Sequence, residues 1–211
     1  VVVGGRAGSR LRAYVWLFVF AACFWLIYDQ AGSVLNVFAE KQVALGGLPA
    51  SWLQAVNPIF IIIASPLAGL LWIKLGHRLA TPGKFAIGLV LNGFSFVLMA
   101  AAAAQAVGGA KVSPLWLVAV YAVQVMGELA LSPVGLSVTT KLAPAAYLSQ
   151  MLGLWFLAVA VGDAIGGQVA RLTTSMAQSS YFLTFGLASV VVGIAAFGMR
   201  KSLRGMMRGI H

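Results

Sequence analysis

A chain of 211 residues with only 9% charged and 61% hydrophobic residues departs from a water-soluble domain, in which about a quarter of residues are charged. Mean hydropathy is +0.97, and 14 Lys and Arg against four acids give a formal net charge of +10. The bases lie at the ends of apolar runs, which is the footprint of membrane topology and not of a nucleic-acid-binding face. The single cysteine, Cys23, excludes an intrachain disulfide.

The opening "VVVGGRAGSR" has no initiator Met and is too short and too basic for a signal peptide. The chain is therefore expected to be part of a longer one. Residues 1–11 are expected as a cytoplasmic lead-in, 12–200 as six membrane helices, and 201–211 as a basic cytoplasmic tail. The spans are placed at 12–38, 51–73, 85–107, 115–136, 149–170 and 180–199. Runs of about 20 apolar residues cross the hydrocarbon core as helices, because backbone polar groups in lipid must be satisfied within the segment.

The first span carries Asp29 in "YDQAGSVLN", with Ser33 and Asn36 continuing its face. Such an acid can pair with a base at an external gate, carry a proton, or snorkel to the interface. "GGLPAS" leads into the second span, with Ser51 as the expected N-cap. There Asn57, Pro58 and Pro66 interrupt the hydrogen-bond ladder, which is tolerated only where protein or a cavity satisfies the freed groups. Asn57 would bond either a polar substrate or a neighbouring helix. "GHRLATPG" separates the second span from the third, and "GGAKVSP" the third from the fourth.

The fourth span contains "GELALSPVGLS", with no Lys or Arg between Lys111 and Lys141. Glu128 comes about thirteen residues into this helix, roughly 20 Å deep at 1.5 Å per residue and near the membrane midplane. Ser132 and Gly135 share its face. Pro133 removes a backbone hydrogen bond near Leu129 and weakens that turn. A charged acid at the centre of a membrane helix costs about 2.5–3.5 kcal/mol. Glu128 is thus either part of a binding site or a protonated acid bonded to another helix.

"KLAPAAYLS" leads into the fifth span, "GLWFLAVAVGDAIGG". Asp163 is a third acid within a span. Gly162 and Gly166 form a small-xxx-small pair suited to close helix packing. Trp155 is either a core aromatic or a pocket wall. The other tryptophans, Trp16, Trp25, Trp52, Trp72 and Trp116, include several near span ends, where interface belts are expected. "TTSMAQSS" divides the fifth span from the sixth, and "RKSLRGMMRG" ends the chain as a topology anchor.

Eleven of the fourteen bases fall on one side of the membrane; Lys41, Lys111 and Arg171 fall on the other. This places both termini in the cytoplasm of a multi-pass cell-membrane protein. No metal-ligand spacing, nucleophile elbow or phosphate loop points to an enzyme, and His77 and His211 lie far from the buried acids. Six helices with both ends inside match one half of a twelve-helix secondary transporter, whose substrate binds between the halves near the midplane.

"YDQAGSVLNVFA", "WLQAVNPIFIIIASPLAGLLW", "GELALSPVGLSVTTKLAP" and "QMLGLWFLAVAVGDAIGG" resemble, in order, the seventh, eighth, tenth and eleventh helices of the proton-dependent oligopeptide transporters. The resemblance implies an all-α membrane protein, the C-terminal six-helix half of a major facilitator fold. It implies a symporter that imports di- and tripeptides by alternating access, with the proton as coupling ion and no other cofactor. Its implied partners are the bilayer and an N-terminal six-helix half. The resemblance assigns Glu128 to the peptide ammonium, Asn57 to the peptide backbone, Trp155 to the pocket and Asp29 to a proton-linked external gate. Ser132 goes with Glu128 as a substrate-site residue, and Asp163 goes with Asp29. Two positions depart from the family pattern: Asp29 stands where many relatives have Glu, and Asp163 where Asn is expected. The alternatives are a non-transporting subunit whose acids tie helices together, or a relative carrying a non-peptide solute.

Overall fold

The computed structural model describes residues 2–75 and 79–207. His77, Arg78, Arg208 and His211, which enter the sequence reading above, lie outside the described residues. The chain forms nine α-helices among these residues: α1 (Val2–Tyr28), α2 (Val34–Gln42), α3 (Ser51–Gln54), α4 (Val56–Leu75), α5 (Thr81–Gln105), α6 (Leu115–Leu142), α7 (Leu148–Ala170), α8 (Gln178–Gly198) and α9 (Arg200–Met207). Six helical segments are long and apolar enough to cross a membrane. The sole β feature among the described residues is an isolated bridge between Val43 and Val112. It ties the α2 exit to the loop before α6.

Two of the expected spans are each broken in two, and α6 runs six residues past its expected end, to Leu142. The first is not one helix over 12–38. It starts at Val2, running back through the expected lead-in, and breaks at a 3-10 turn over Asp29–Gly32 before α2. Gln30 steadies the break: its side-chain amide donates to the Leu26 carbonyl at 3.0 Å, and its oxygen accepts from the Tyr181 hydroxyl at 2.5 Å. The second is also divided. Ser51 is not an N-cap; it is the first residue of the four-residue α3, and no side-chain cap bond forms there. The helix restarts as α4, which places Pro58 in the first turn. Its missing N–H costs nothing there, because first-turn donors have no intrahelical partner. Pro66 lies inside α4. The expected tail is partly helical, since α9 buries Leu203 and Met207 and the Ser9 hydroxyl donates to the Met206 carbonyl at 3.0 Å.

The helices pack mainly as the pairs α5–α8, α5–α6, α1–α7 and α4–α6. Glycine permits the closest approaches. A Cβ at Gly93 would lie 2.5 Å from the Gly186 carbonyl oxygen, so α5 and α8 touch backbone to backbone. Gly162 and Gly166 do the same for α7 on α1, where a Cβ would lie 2.6 Å from the Ala22 oxygen and 2.7 Å from the Leu26 oxygen. Without a hydrophobic force between helices in lipid, this close van der Waals contact is a principal source of association. α5 is buried along much of its length, whereas Ala68 alone is buried in α4. One apolar core surrounds Phe20, Phe24, Phe85, Trp155 and Leu203; another surrounds Phe38, Phe96, Tyr181 and Phe182.

Substitution of Gly93 by Ala should lower stability in detergent by about 1–3 kcal/mol, because the added methyl meets backbone atoms that cannot yield. Gly153 has open space around its Cβ position, so Gly153→Ala should leave the melting temperature unchanged or raise it. Thermal unfolding of both variants checks the contrast.

Candidate functional site

The polar residues near the centre of the bundle come from four helices and one break. Glu128 sits at the midpoint of the 28-residue α6 and is half-buried. Tyr28, at the last residue of α1, donates its hydroxyl to Glu128 Oε2. The same hydroxyl accepts from Asn57 Nδ2 of α4 at 3.0 Å. One phenol carries one proton, so the order is Asn57 to Tyr28 to Glu128, amide to hydroxyl to carboxylate. Asn57 and Glu128 were singled out by sequence, and the structure joins them through Tyr28. Tyr28 itself was not singled out, although it lies beside Asp29 in the quoted stretch. Tyrosine in an apolar helix carries no signal of its own, since its ring packs like any core aromatic. Here it stacks on Phe24 with ring centroids 5.3 Å apart.

Asp29 opens the break after α1 and is exposed. It borders two cavities. One, of about 250 Å³, is lined by Tyr28, Asp29, Gln54, Asn57, Pro58 and Tyr121 among others. The Tyr121 side chain is 1% exposed and its hydroxyl has no hydrogen-bond partner. The other cavity, of about 120 Å³, is lined by Trp25, Asp29, Gln30, Ser33 and Asp163 with Gly166 and Gly167. Asp163 of α7 is exposed and borders this cavity together with Asp29. The two acids the sequence placed on different spans therefore border one cavity, because Gly162 and Gly166 bring α7 against α1.

Ser132 is half-buried one turn beyond Glu128. Trp155 is 4% exposed and lies in the core. Its ring occupies the space a Cβ at Gly135 would need, and it meets Phe85 edge-on at 6.3 Å. Nearly all its surface is covered within this chain, and it shapes the α6 backbone at Gly135. Ser132 and Trp155 line neither of the two cavities above.

The weakened turn of α6 is also met. Pro133 has no N–H to offer the Leu129 carbonyl, and that oxygen accepts instead from the Trp72 indole of α4 at 3.0 Å. Trp72 was grouped by sequence with the interface tryptophans; the structure gives it a bond to the residue next to Glu128. Its ring is covered by the Lys84 ammonium, 5.0 Å from the centroid.

A model of the POT family matches residues 6–186. An uncharacterized transporter, YclF, of Bacillus subtilis is 46% identical over 207 residues, covering 96% of this chain and 42% of its own length. A di-/tripeptide transporter of Lactococcus lactis subsp. cremoris is 37% identical over 211 residues, with the same two coverages. A crystal structure of peptide transporter POT in complex with sulfate superposes at a TM-score of 0.90 and 42% identity, covering 97% of this chain and 42% of that one. The chain spans less than half the length of these relatives.

The bonding pattern separates two tyrosines. Tyr28→Phe removes a donor to a carboxylate and should cost about 1–3 kcal/mol of stability. Tyr121→Phe removes an unpartnered hydroxyl and should be neutral or stabilising. Equal losses in thermal unfolding would contradict the network drawn here.

Proposed function

The chain belongs to the POT family, and from that premise we propose that it forms the C-terminal half of a proton-coupled symporter importing di- and tripeptides. It is an integral membrane protein of six apolar helices. In this reading both termini face the cytoplasm, and α4 and α7, with little of their surface buried in the chain itself, supply surface for an N-terminal six-helix half. The Lactococcus relative, a di-/tripeptide transporter, supports the cargo.

The observation that carries the reading is the setting of Glu128. A carboxylate at the midpoint of a membrane helix is held by a neutral hydroxyl, itself held by a neutral amide. That arrangement orients the acid while leaving its charge to be met by something else. A peptide ammonium suits it, because a charge pair in a low-dielectric site is worth far more than in water. Ser132 extends the same face of α6. Asn57 offers an amide to the peptide backbone, and Trp155 backs the site from behind Gly135. Asp29, in the break between α1 and α2 and beside Asp163, is the coupling group. Its proton state would bias the gate as the two halves rock about the site.

A second reading has one specific observation in its favour. The bond between Tyr28 and Glu128 joins two helices, which is what an acid serving only to tie helices together would do. Transport separates the two. The chain would be co-expressed with an N-terminal half from a relative, and uptake of a labelled dipeptide followed under an inward proton gradient. Glu128→Gln is expected to abolish uptake of peptides with a free amine; unchanged uptake would leave only the helix-tying role. Asp29→Asn is expected to impair gradient-driven uptake more than counterflow exchange. Equal loss in both assays would make Asp29 a structural acid.

A further inference from the structure

The geometry around Pro133 points to a residue that no catalogue of substrate contacts would include. An α-helical carbonyl is normally met by the N–H four residues on, and Pro133 denies this to Leu129. A carbonyl left open at membrane depth is unfavourable. Here the Trp72 indole fills the position at 3.0 Å. Indole nitrogen is a donor only, so the bond has one direction: α4 holds the α6 backbone. Leu129 directly follows Glu128, so the carbonyl held by Trp72 belongs to the turn that aims the acid. Lys84 of α5 sits over the face of the same ring, which attracts a cation and adds a second restraint on the indole.

We propose that Trp72 is a positioning residue for Glu128. It replaces the hydrogen bond that Pro133 removes and thereby fixes the turn from which the carboxylate projects. Asn57, on the same helix, steadies the carboxylate itself through Tyr28. α4 thus acts on Glu128 twice, once through the backbone carbonyl of the next residue, Leu129, and once at the side chain through Tyr28. The turn stays free of an internal bond, so a shift of α4 along α6 changes the aim of Glu128 without breaking a helix. The proposal rests on the reading of Glu128 as the ammonium receptor.

The test is a double-mutant cycle between Trp72→Phe and Pro133→Ala in the chain assembled with an N-terminal half. Two quantities are read: the melting temperature without ligand and the dissociation constant for dialanine. Trp72→Phe keeps an aromatic ring but removes the donor. It is expected to lower the melting temperature by several degrees and weaken dialanine binding roughly tenfold, the scale of a lost orienting hydrogen bond. Pro133→Ala returns an N–H to the Leu129 carbonyl, so adding Trp72→Phe on that background should change neither quantity. An equal penalty in both backgrounds overturns the proposal, since the indole would then act elsewhere. So does coupling in melting temperature with dialanine affinity unchanged, which would leave a structural tie alone. If Trp72→Phe does not accumulate by itself, the Pro133→Ala background decides: tolerance there supports the proposal and failure there overturns it. Should Glu128→Gln bind dialanine as well as the parent, the transport reading fails, while the melting cycle still reports on the bond between Trp72 and Leu129.

Discussion

The structure turns on one carboxylate that has to be accommodated at the middle of a membrane helix. Glu128 has no base near it in sequence, and its bonded neighbours are a phenol and, behind it, an amide. Hydrogen bonding without charge neutralisation fixes an acid in space and leaves its electrostatic demand open. Much of the rest can be read as serving that condition. α1 ends where Tyr28 can reach α6, α4 restarts at Val56 so that Asn57 can reach Tyr28, and Trp72 occupies the carbonyl that Pro133 exposes.

The helices can be placed so because glycine lets backbones approach. α5 and α8 meet at Gly93 and Gly186, and α7 meets α1 at Gly162 and Gly166. These approaches do more than hold the bundle. The seating of α7 on α1 carries Asp163 to the break where Asp29 emerges, so two acids far apart in the chain border one cavity. The break also sets where Asp29 lies. A continuous helix would keep Asp29 on a regular face, whereas the 3-10 turn sets it between two cavities and leaves the buried Gln30 to anchor the bend on Tyr181.

The hydrophobic pattern made the six apolar segments legible, because membrane thickness and backbone satisfaction allow few other solutions. Glu128, Asp29, Asp163 and Asn57 stood out for the same reason: polar groups in apolar runs are costly and therefore conspicuous. Tyr28 and Trp72 did not, since an aromatic side chain in lipid has an ordinary packing role and its polar handle shows only when a partner is placed against it. The seating of Trp155 was not legible either, because it depended on whether α6 offered a small residue beneath the ring; Gly135 does. The break after Tyr28 was hidden for another reason. Nothing in "YDQAGSVLN" forbids a helix, and the kink is held by a contact with α8 more than a hundred residues away.

The central claim is that Glu128 is left for a cationic amine. It is tested most directly by the affinity of the chain, assembled with an N-terminal half, for a dipeptide and for the same dipeptide N-acetylated. Both ligands have the same side chains and carboxylate and differ at the amine. The account predicts binding of the free amine and at least a tenfold loss on acetylation, about the 1.4 kcal/mol of a modest charge interaction. Equal affinity for the two ligands would contradict it.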